Sequence, residues 1–135
     1  MIKGTNTDSI SLAAPRLPEL ESLVMEQIWA AGESTVRDVM SALNEAPDSR
    51  RAYTTYMTII ERLRNKGLLL RRREGKTNHY RPARAREDYV ASRAGAEVDA
   101  LVAQYGDVAL SHFARQMAAL DPERRRLLER QLGGR

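Results

Sequence analysis

No cysteine occurs among the 135 residues of the chain. This absence excludes disulfide bonds, metal centres held by thiolates and cysteine nucleophiles. The sequence also lacks any apolar run close to the roughly 20 residues that are needed to span a bilayer. Its first residues lack the apolar core of a secretory signal. We therefore expect a cytoplasmic protein that does not insert into a membrane.

Side chains for catalysis are scarce as well. The two histidines, His79 and His112, stand 33 positions apart, with no acidic residue at a spacing typical of metal ligands. No glycine-rich phosphate loop occurs, and the serines and histidines do not form the pattern of an activated nucleophile. The sequence therefore predicts no metal, no cofactor and no enzymatic activity.

Positive charge is present but unevenly distributed. The formal net charge of the chain is +4, whereas residues 34–84 alone contain twelve basic and five acidic side chains, a net charge of +7. Residues 1–33 carry a charge of −3, and residues 85–135 are neutral. A basic segment between two flanks without such an excess indicates a polyanion as its partner. The alternative is a surface whose basic side chains only keep the protein soluble.

Three helices are predicted in the first half of the chain. The first is expected to begin at Pro18 and to end near Gly32, because proline suits the first helical position and glycine suits the position after the last. A second helix follows Ser34, which is a candidate N-cap. The third is expected over Tyr53–Lys66, with one apolar stripe facing the core. The residues of that stripe are Tyr53, Met57, Ile60 and Leu63.

A basic hairpin is predicted after the third helix. Three leucines are followed by three arginines, then by Gly75 and the strand-like segment Asn78–Pro82. Three helices followed by a hairpin is the order of a winged helix-turn-helix, in which the third helix and the hairpin meet DNA. We therefore predict a mainly α fold, with a flexible leader at residues 1–16 and a winged helix DNA-binding domain at residues 17–84.

The last third of the chain predicts further helices. A break is expected at Tyr105–Gly106, and Asp121 and Pro122 are typical of the start of a final helix. These helices are too few and too short to close a core within one chain, so we predict that residues 85–135 form a helical dimerisation domain. The predicted interface residues are Val98, Leu101, Val102, Leu110, Phe113, Met117, Leu127 and Leu128.

Three stretches of the sequence resemble the penicillinase repressor family of bacterial regulators, which includes methicillin-resistance and copper-responsive repressors. The resemblance extends from about residue 17 to residue 131, and its most specific block is Ala52-Tyr53-Thr54-Thr55 followed by Met57-Thr58. The stretches that carry it are LPELESLVMEQIWAAGESTVRDVMSAL, RAYTTYMTIIERLRNKGLL and REGKTNHYRPA.

The resemblance implies a function as well as a fold. It implies a homodimer that represses transcription from inverted-repeat operators, with a β-lactam-response or related stress regulon as its target. It also implies release from DNA when a membrane sensor protease triggers cleavage in the C-terminal helices, at a place that corresponds to His112-Phe113 here. The copper-responsive members have a cysteine-rich C-terminal cluster. Because this chain has no cysteine, direct copper sensing of that kind is excluded.

The exposed side of the third helix supplies the candidates for reading DNA. A helix fits the major groove, where threonine hydroxyl and methyl groups can contact base edges. Base contacts are predicted for Thr54, Thr55, Thr58 and Arg62. Contacts with the DNA backbone are predicted for Ser34, Thr35, Arg37, Arg50, Arg51, Tyr56, Arg71, Arg73 and Lys76. The alternatives are that the threonines are plain helix surface, that the arginines are only solvated and that Ser34 is an ordinary N-cap.

A different class of function uses the same fold. A winged helix can serve as a protein-interaction module, because the fold alone does not dictate a nucleic acid ligand. Such a module would have a neutral third helix, whereas the middle segment here carries a charge of +7. The sequence therefore favours double-stranded operator DNA and a second copy of the chain as partners.

Overall fold

The computed structural model describes residues 17–133, so the predicted leader at residues 1–16 lies outside the described residues. The architecture is mainly helical, with one two-stranded antiparallel hairpin after the third helix. The predicted winged helix-turn-helix and the helices after it are confirmed. The elements are α1 (Glu19–Ala31), α2 (Val36–Leu43), a 3-10 turn (Pro47–Ser49), α3 (Tyr53–Asn65), β1 (Leu69–Glu74), β2 (Thr77–Pro82), α4 (Arg86–Tyr105), α5 (Asp107–Ala119) and α6 (Pro122–Gly133).

The start of α2 corrects the predicted cap. Thr35, not Ser34, is the N-cap: its hydroxyl oxygen accepts a hydrogen bond from the Asp38 amide at 3.1 Å, and the Asp38 carboxylate accepts one from the Thr35 amide at 2.9 Å. Ser34 instead exchanges two backbone hydrogen bonds with Tyr80 of β2, at 2.9 and 2.8 Å. This bridge fastens the segment before α2 to the hairpin.

The core lies between the first three helices and the base of the hairpin. On α3 the buried positions are Tyr56, Ile59, Ile60 and Leu63. The predicted stripe was wrong for Met57, which is 44% exposed, and it omitted Tyr56, which is fully buried. Buried apolar residues from the other elements are Val24, Met25, Ile28, Val36, Val39, Leu68, Leu69, Tyr80 and Tyr89.

The hairpin is short and tightly turned. Its register runs from Leu69 opposite Pro82 to Glu74 opposite Thr77, which leaves a two-residue turn of Gly75 and Lys76. Gly75 has a φ of 62°, and two-residue hairpin turns require such positive φ values. The turn therefore holds Lys76 at the tip of the wing.

The first turns of α4 belong to the same compact unit as the wing. This unit ends at Arg93. The Trp29 indole donates a hydrogen bond to the Arg84 carbonyl at 2.9 Å, and its ring lies 5.3 Å from that of Tyr89. Arg86 binds the Glu26 carboxylate through two nitrogens, at 2.7 and 3.0 Å. These contacts pack the beginning of α4 against α1.

Residues from Ala94 onward form a second compact unit that has little core of its own. Among residues 94–131, whose burial the structure describes, Ala109 is the one buried residue. The predicted break is present, since α4 ends at Tyr105 and Gly106 adopts a φ of 57° before α5. The predicted cap of α6 is present too, because Asp121 accepts a hydrogen bond from the Arg124 amide at 2.9 Å. None of the described helices has the length and apolar content required to cross a bilayer.

Candidate nucleic-acid interface

One side of α3 is free of core contacts. Thr54, Thr58 and Arg62 are exposed there, opposite the buried stripe, and Thr55 is half-buried at its margin. Three of the four predicted base-reading side chains are therefore on a surface that a DNA groove can reach. The fourth, Thr55, is only partly accessible.

Four predicted phosphate-binding residues surround the N-terminal end of α3. Arg50 and Arg51 are exposed in the loop before it, and Arg51 is held there because its guanidinium donates to the Ser49 carbonyl at 2.9 Å. The Arg37 guanidinium lies 5.2 Å above the centre of the Tyr53 ring. Thr35 uses its hydroxyl oxygen to cap α2, which leaves the hydroxyl proton available to a ligand.

Two of the predicted contacts with the DNA backbone are wrong because the side chains concerned are buried. Ser34 is 2% exposed and Tyr56 is fully buried. The Tyr56 hydroxyl donates a hydrogen bond to the Asn44 side chain at 2.7 Å, and that same side chain bonds both backbone groups of Arg51. Tyr56 therefore supports the loop before α3 from inside. The signal for this was present in the sequence, since Tyr56 stands at helical spacing from Ile59, Ile60 and Leu63.

The three consecutive arginines of the wing differ in their partners. Arg72 binds the Glu33 carboxylate through two nitrogens, at 2.8 and 3.1 Å, and Glu74 at 2.9 Å. Its hydrogen bonds lower the pKa of both carboxyl groups below their ordinary value and raise the pKa of Arg72. Arg71 lies 3.7 Å from the Glu61 carboxylate, and Arg73 donates to the Gly75 carbonyl at 3.0 Å. Arg72 thus links the wing to the segment before α2 through its hydrogen bonds.

Glu61 joins the wing to α3, a role that no sequence pattern indicated. Its carboxylate accepts a hydrogen bond from the Tyr80 hydroxyl at 2.7 Å and pairs with Arg64 at 3.3 Å, in addition to Arg71. Burial, and then this bond to a carboxylate, raise the pKa of Tyr80. A negative side chain on the exposed side of α3 is therefore balanced by the wing.

Unpaired positive charge remains around the exposed threonines. Within residues 17–133, no carboxylate lies within ion-pair distance of Arg62, Arg73 or Lys76. These three cations lie on α3, on β1 and at the wing tip. Residues 17–133 also contain no cluster of three His, Asp or Glu side chains that could hold a metal ion. The arrangement suits an extended polyanion.

The predicted dimer interface residues lie on an incompletely covered surface of the second unit. Four of them are 41–49% exposed, and the other four are half-buried. An apolar cavity of about 320 Å³, lined in part by Leu101, His112 and Phe113, lies among them. The exposed four are Val98, Leu101, Leu110 and Leu127; the half-buried four are Val102, Phe113, Met117 and Leu128.

Comparisons with known proteins agree with these features. The chain matches the family described as Penicillinase repressor over residues 17–133. It is 40% identical over 126 residues to Transcriptional regulator BlaI from Mycobacterium tuberculosis, and the match covers 87% of each chain.

Solved structures are similar as well. A fragment of a possible transcriptional regulatory protein from Mycobacterium bovis is 24% identical, with 73% of this chain and 98% of that one covered and a TM-score of 0.50. The monomeric form of BlaI from Bacillus licheniformis, in complex with the blaP half-operator, is 28% identical, with 56% of this chain and 89% of that one covered and a TM-score of 0.46. From the family match and the identity to the mycobacterial regulator, the chain belongs to the penicillinase repressor family of transcriptional regulators and is not an enzyme.

Proposed function

We propose that this protein represses transcription by binding inverted-repeat operator DNA as a homodimer. The observation that carries the proposal is the exposed threonine side of α3, with Arg37 of α2, Arg71 of β1 and Lys76 of the wing tip beside that helix. An α-helix of this kind fits the major groove, and cations on each side of it suit the two phosphate strands that border the groove. A protein-interaction module would not need this charge.

The DNA-contacting residues divide into two groups in this proposal. Thr54, Thr58 and Arg62, with a smaller part for Thr55, contact base edges, so they determine which sequence is bound. The other proposed contacts are with phosphates, and they supply affinity without sequence preference. The proposed phosphate-contacting residues are Thr35, Arg37, Arg50, Arg51, Arg71, Arg73 and Lys76.

Dimerisation is proposed for the C-terminal helices, within residues 85–135. Exposed apolar side chains such as Leu101 and Leu110 cost free energy in water, and a second copy related by a twofold axis would cover them. A dimer with two reading helices matches a palindromic site, and binding of one half makes binding of the other intramolecular. Loss of the dimer therefore releases the operator.

Induction by a membrane sensor protease is the finer part of the proposal. The proposed cleavage place, His112-Phe113, lies in the middle of α5, where the Arg115 guanidinium contacts the His112 ring at 3.0 Å. A protease needs an extended substrate, so cleavage here requires local unwinding of α5. We propose that the protein acts in the cytoplasm, where its operator is, on a β-lactam-response or related stress regulon.

The decisive experiment is a gel shift with the promoter region of the gene for this protein, titrated with salt. We expect binding that weakens steeply as salt rises, because phosphate contacts release counterions. Arg71→Ala combined with Arg73→Ala should weaken all duplexes similarly and reduce the salt slope by about one for each phosphate that the variant no longer binds. Thr58→Ala should instead change the preference among operator sequences.

The matched control removes the same charge outside the proposed interface. On a duplex with a single half-site, where pairing of two copies does not contribute, Arg126→Ala combined with Arg130→Ala on α6 should leave both the salt slope and the sequence preference unchanged. Salt-insensitive binding by the unaltered protein would contradict the proposal. So would equal effects of the wing variants and Thr58→Ala on every duplex.

A further inference from the structure

An apolar side chain is exposed on the same side of α3 as Thr54 and Thr58, which are proposed to contact bases. Met57 is 44% exposed. The structure describes every residue of α3, and Met57 is the one large hydrophobic side chain of that helix that is exposed. Its neighbours on the helix surface are the half-buried Tyr53 and the polar side chains of Thr54, Thr58 and Glu61. Core packing does not explain methionine at this position.

The surroundings of Met57 are those of a ligand-binding surface. It lines a cleft of about 310 Å³ formed by the N-terminal end of α2, the first half of α3 and the wing tip. Arg37 and Lys76 line the same cleft and bring a positive charge from each side. The apolar side chain therefore shares a cleft with two cations that suit phosphates.

The chemistry of the major groove limits what Met57 can contact there. The groove presents hydrogen-bond donors and acceptors at every base pair, and its one apolar feature is the 5-methyl group of thymine. A flexible and polarizable thioether packs well against such a group. Facing any other base edge, Met57 would cover polar atoms without bonding them, which costs free energy.

We propose that Met57 is a specificity-determining residue that contacts a thymine methyl group in each half of the operator. This inference rests on the proposed function, since it needs α3 in the major groove. Met57 then discriminates A·T from G·C pairs at one position per half-site. The threonines and Arg62 read the remaining positions.

The test uses the full chain and thymine-to-uracil substitution, which removes only the methyl group. A preferred duplex is first selected from a random library, and each of its thymines is then replaced by deoxyuridine, symmetrically in both halves. For the unaltered protein, we expect one symmetric pair of replacements to weaken binding about fourfold per half-site, the effect of one buried methyl-sized group. In Met57→Ala the sensitivity at this pair should disappear, while the effect of replacing any other thymine stays as in the unaltered protein.

Two further variants separate reading from folding. Met57→Leu keeps an apolar contact and should retain part of the sensitivity to uracil. Leu23→Ala removes an apolar side chain of similar exposure from α1 and should give the profile of the unaltered protein. All three variants should keep the urea midpoint, because neither residue is buried.

The possible failures are distinguishable. If no duplex is selected from the library, the proposed function itself is contradicted. If a duplex is selected but Met57→Ala shows the same uracil profile as the unaltered protein, only the role of Met57 is overturned. A profile without any sensitive thymine in the unaltered protein also overturns it.

Discussion

Arg72 and its two carboxylate partners set the electrostatics of the wing. The guanidinium bonds Glu33 in the segment before α2 and Glu74 on its own strand, so one side chain spans 39 positions of sequence. A bidentate pair between arginine and carboxylate has a fixed geometry and is stronger than a single hydrogen bond. Arg72 is therefore better suited to holding the wing in place than to binding a phosphate.

A pH dependence follows from this contact. The pKa of Glu33 lies below its ordinary value of 4.5 because Arg72 bonds the charged form. A lowered folded-state pKa means that the ion pair stabilises the protein above pH 4.5 and that this contribution is lost as pH falls through the folded-state pKa. In a carbon-13 NMR titration, we expect Glu33 to titrate below 4.5 in the unaltered protein and at a higher pH in Arg72→Ala.

Arg73→Ala is the matched control for that titration. Arg73 bonds the Gly75 carbonyl and no carboxylate within residues 17–133, so its removal should leave the Glu33 midpoint lowered. An ordinary Glu33 midpoint in the unaltered protein would contradict the pairing.

One ion pair joins α1 to the residue that follows α3. Glu21 of α1 is 5% exposed, and its carboxylate accepts a bond from the Lys66 ammonium at 2.6 Å, just after α3. The partners are 45 positions apart, and no local pattern connects them. One positive charge of residues 34–84 is thus paired with a carboxylate of α1.

At the scale of elements, the wing is attached to α3 through Glu61. Tyr80 of β2 and Arg71 of β1 both contact its carboxylate, so both strands are tied to one side chain. The position of the wing relative to the reading helix depends on these bonds.

We expect Glu61→Ala to loosen the wing. The substitution leaves the half-exposed Arg71 and the buried Tyr80 hydroxyl without their acceptor, which costs about 1 kcal/mol of stability. Hydrogen exchange should become faster at the backbone amides of β1 and β2, with little change in α2. Glu61→Gln keeps an acceptor for Tyr80 and should show slower exchange than the alanine variant. Equal exchange in all three proteins would contradict the proposed attachment.

Element order was predictable from the sequence, whereas the rotation of α3 was not predicted correctly. The caps, the glycine stops and the alternation of helix and hairpin signals are local, so they indicated the winged helix and the later helices. Two overlapping stripes fit the helical period, one through Met57 and one through Tyr56, and both contain Ile60 and Leu63. The second stripe forms the core because its four apolar residues stand at i, i+3, i+4 and i+7.

At the scale of the whole molecule, the second unit has apolar side chains without a core to cover them. Val98, Leu101 and Leu110 are each more than 40% exposed, although Ala109 is buried. Helix number and length in the sequence predicted this shortage of core. They did not indicate that the first compact unit extends to Arg93, with Tyr89 of α4 packed against Trp29 of α1.

We expect Leu101→Asp to separate the proposed dimer. A carboxylate placed in an apolar interface loses its hydration without gaining a partner, so association should weaken strongly. Sedimentation should show a monomer at concentrations where the unaltered chain is a dimer. Affinity for a full operator should fall on the order of a hundredfold, while affinity for a single half-site stays the same.

Leu23→Asp places the same charge at an exposed leucine of α1 and serves as the control. It should leave the sedimentation unchanged. A variant at Leu101 that remains dimeric would show that the C-terminal helices pair through other residues.

The shallow packing of the second unit has a consequence for gene dosage. If pairing supplies the missing cover, mass action decides how many molecules are folded into the binding-competent form. Where single chains predominate, doubling the number of molecules in a cell raises the number of pairs about fourfold. Promoter silencing would then respond to repressor abundance more sharply than in simple proportion, with no effector molecule involved.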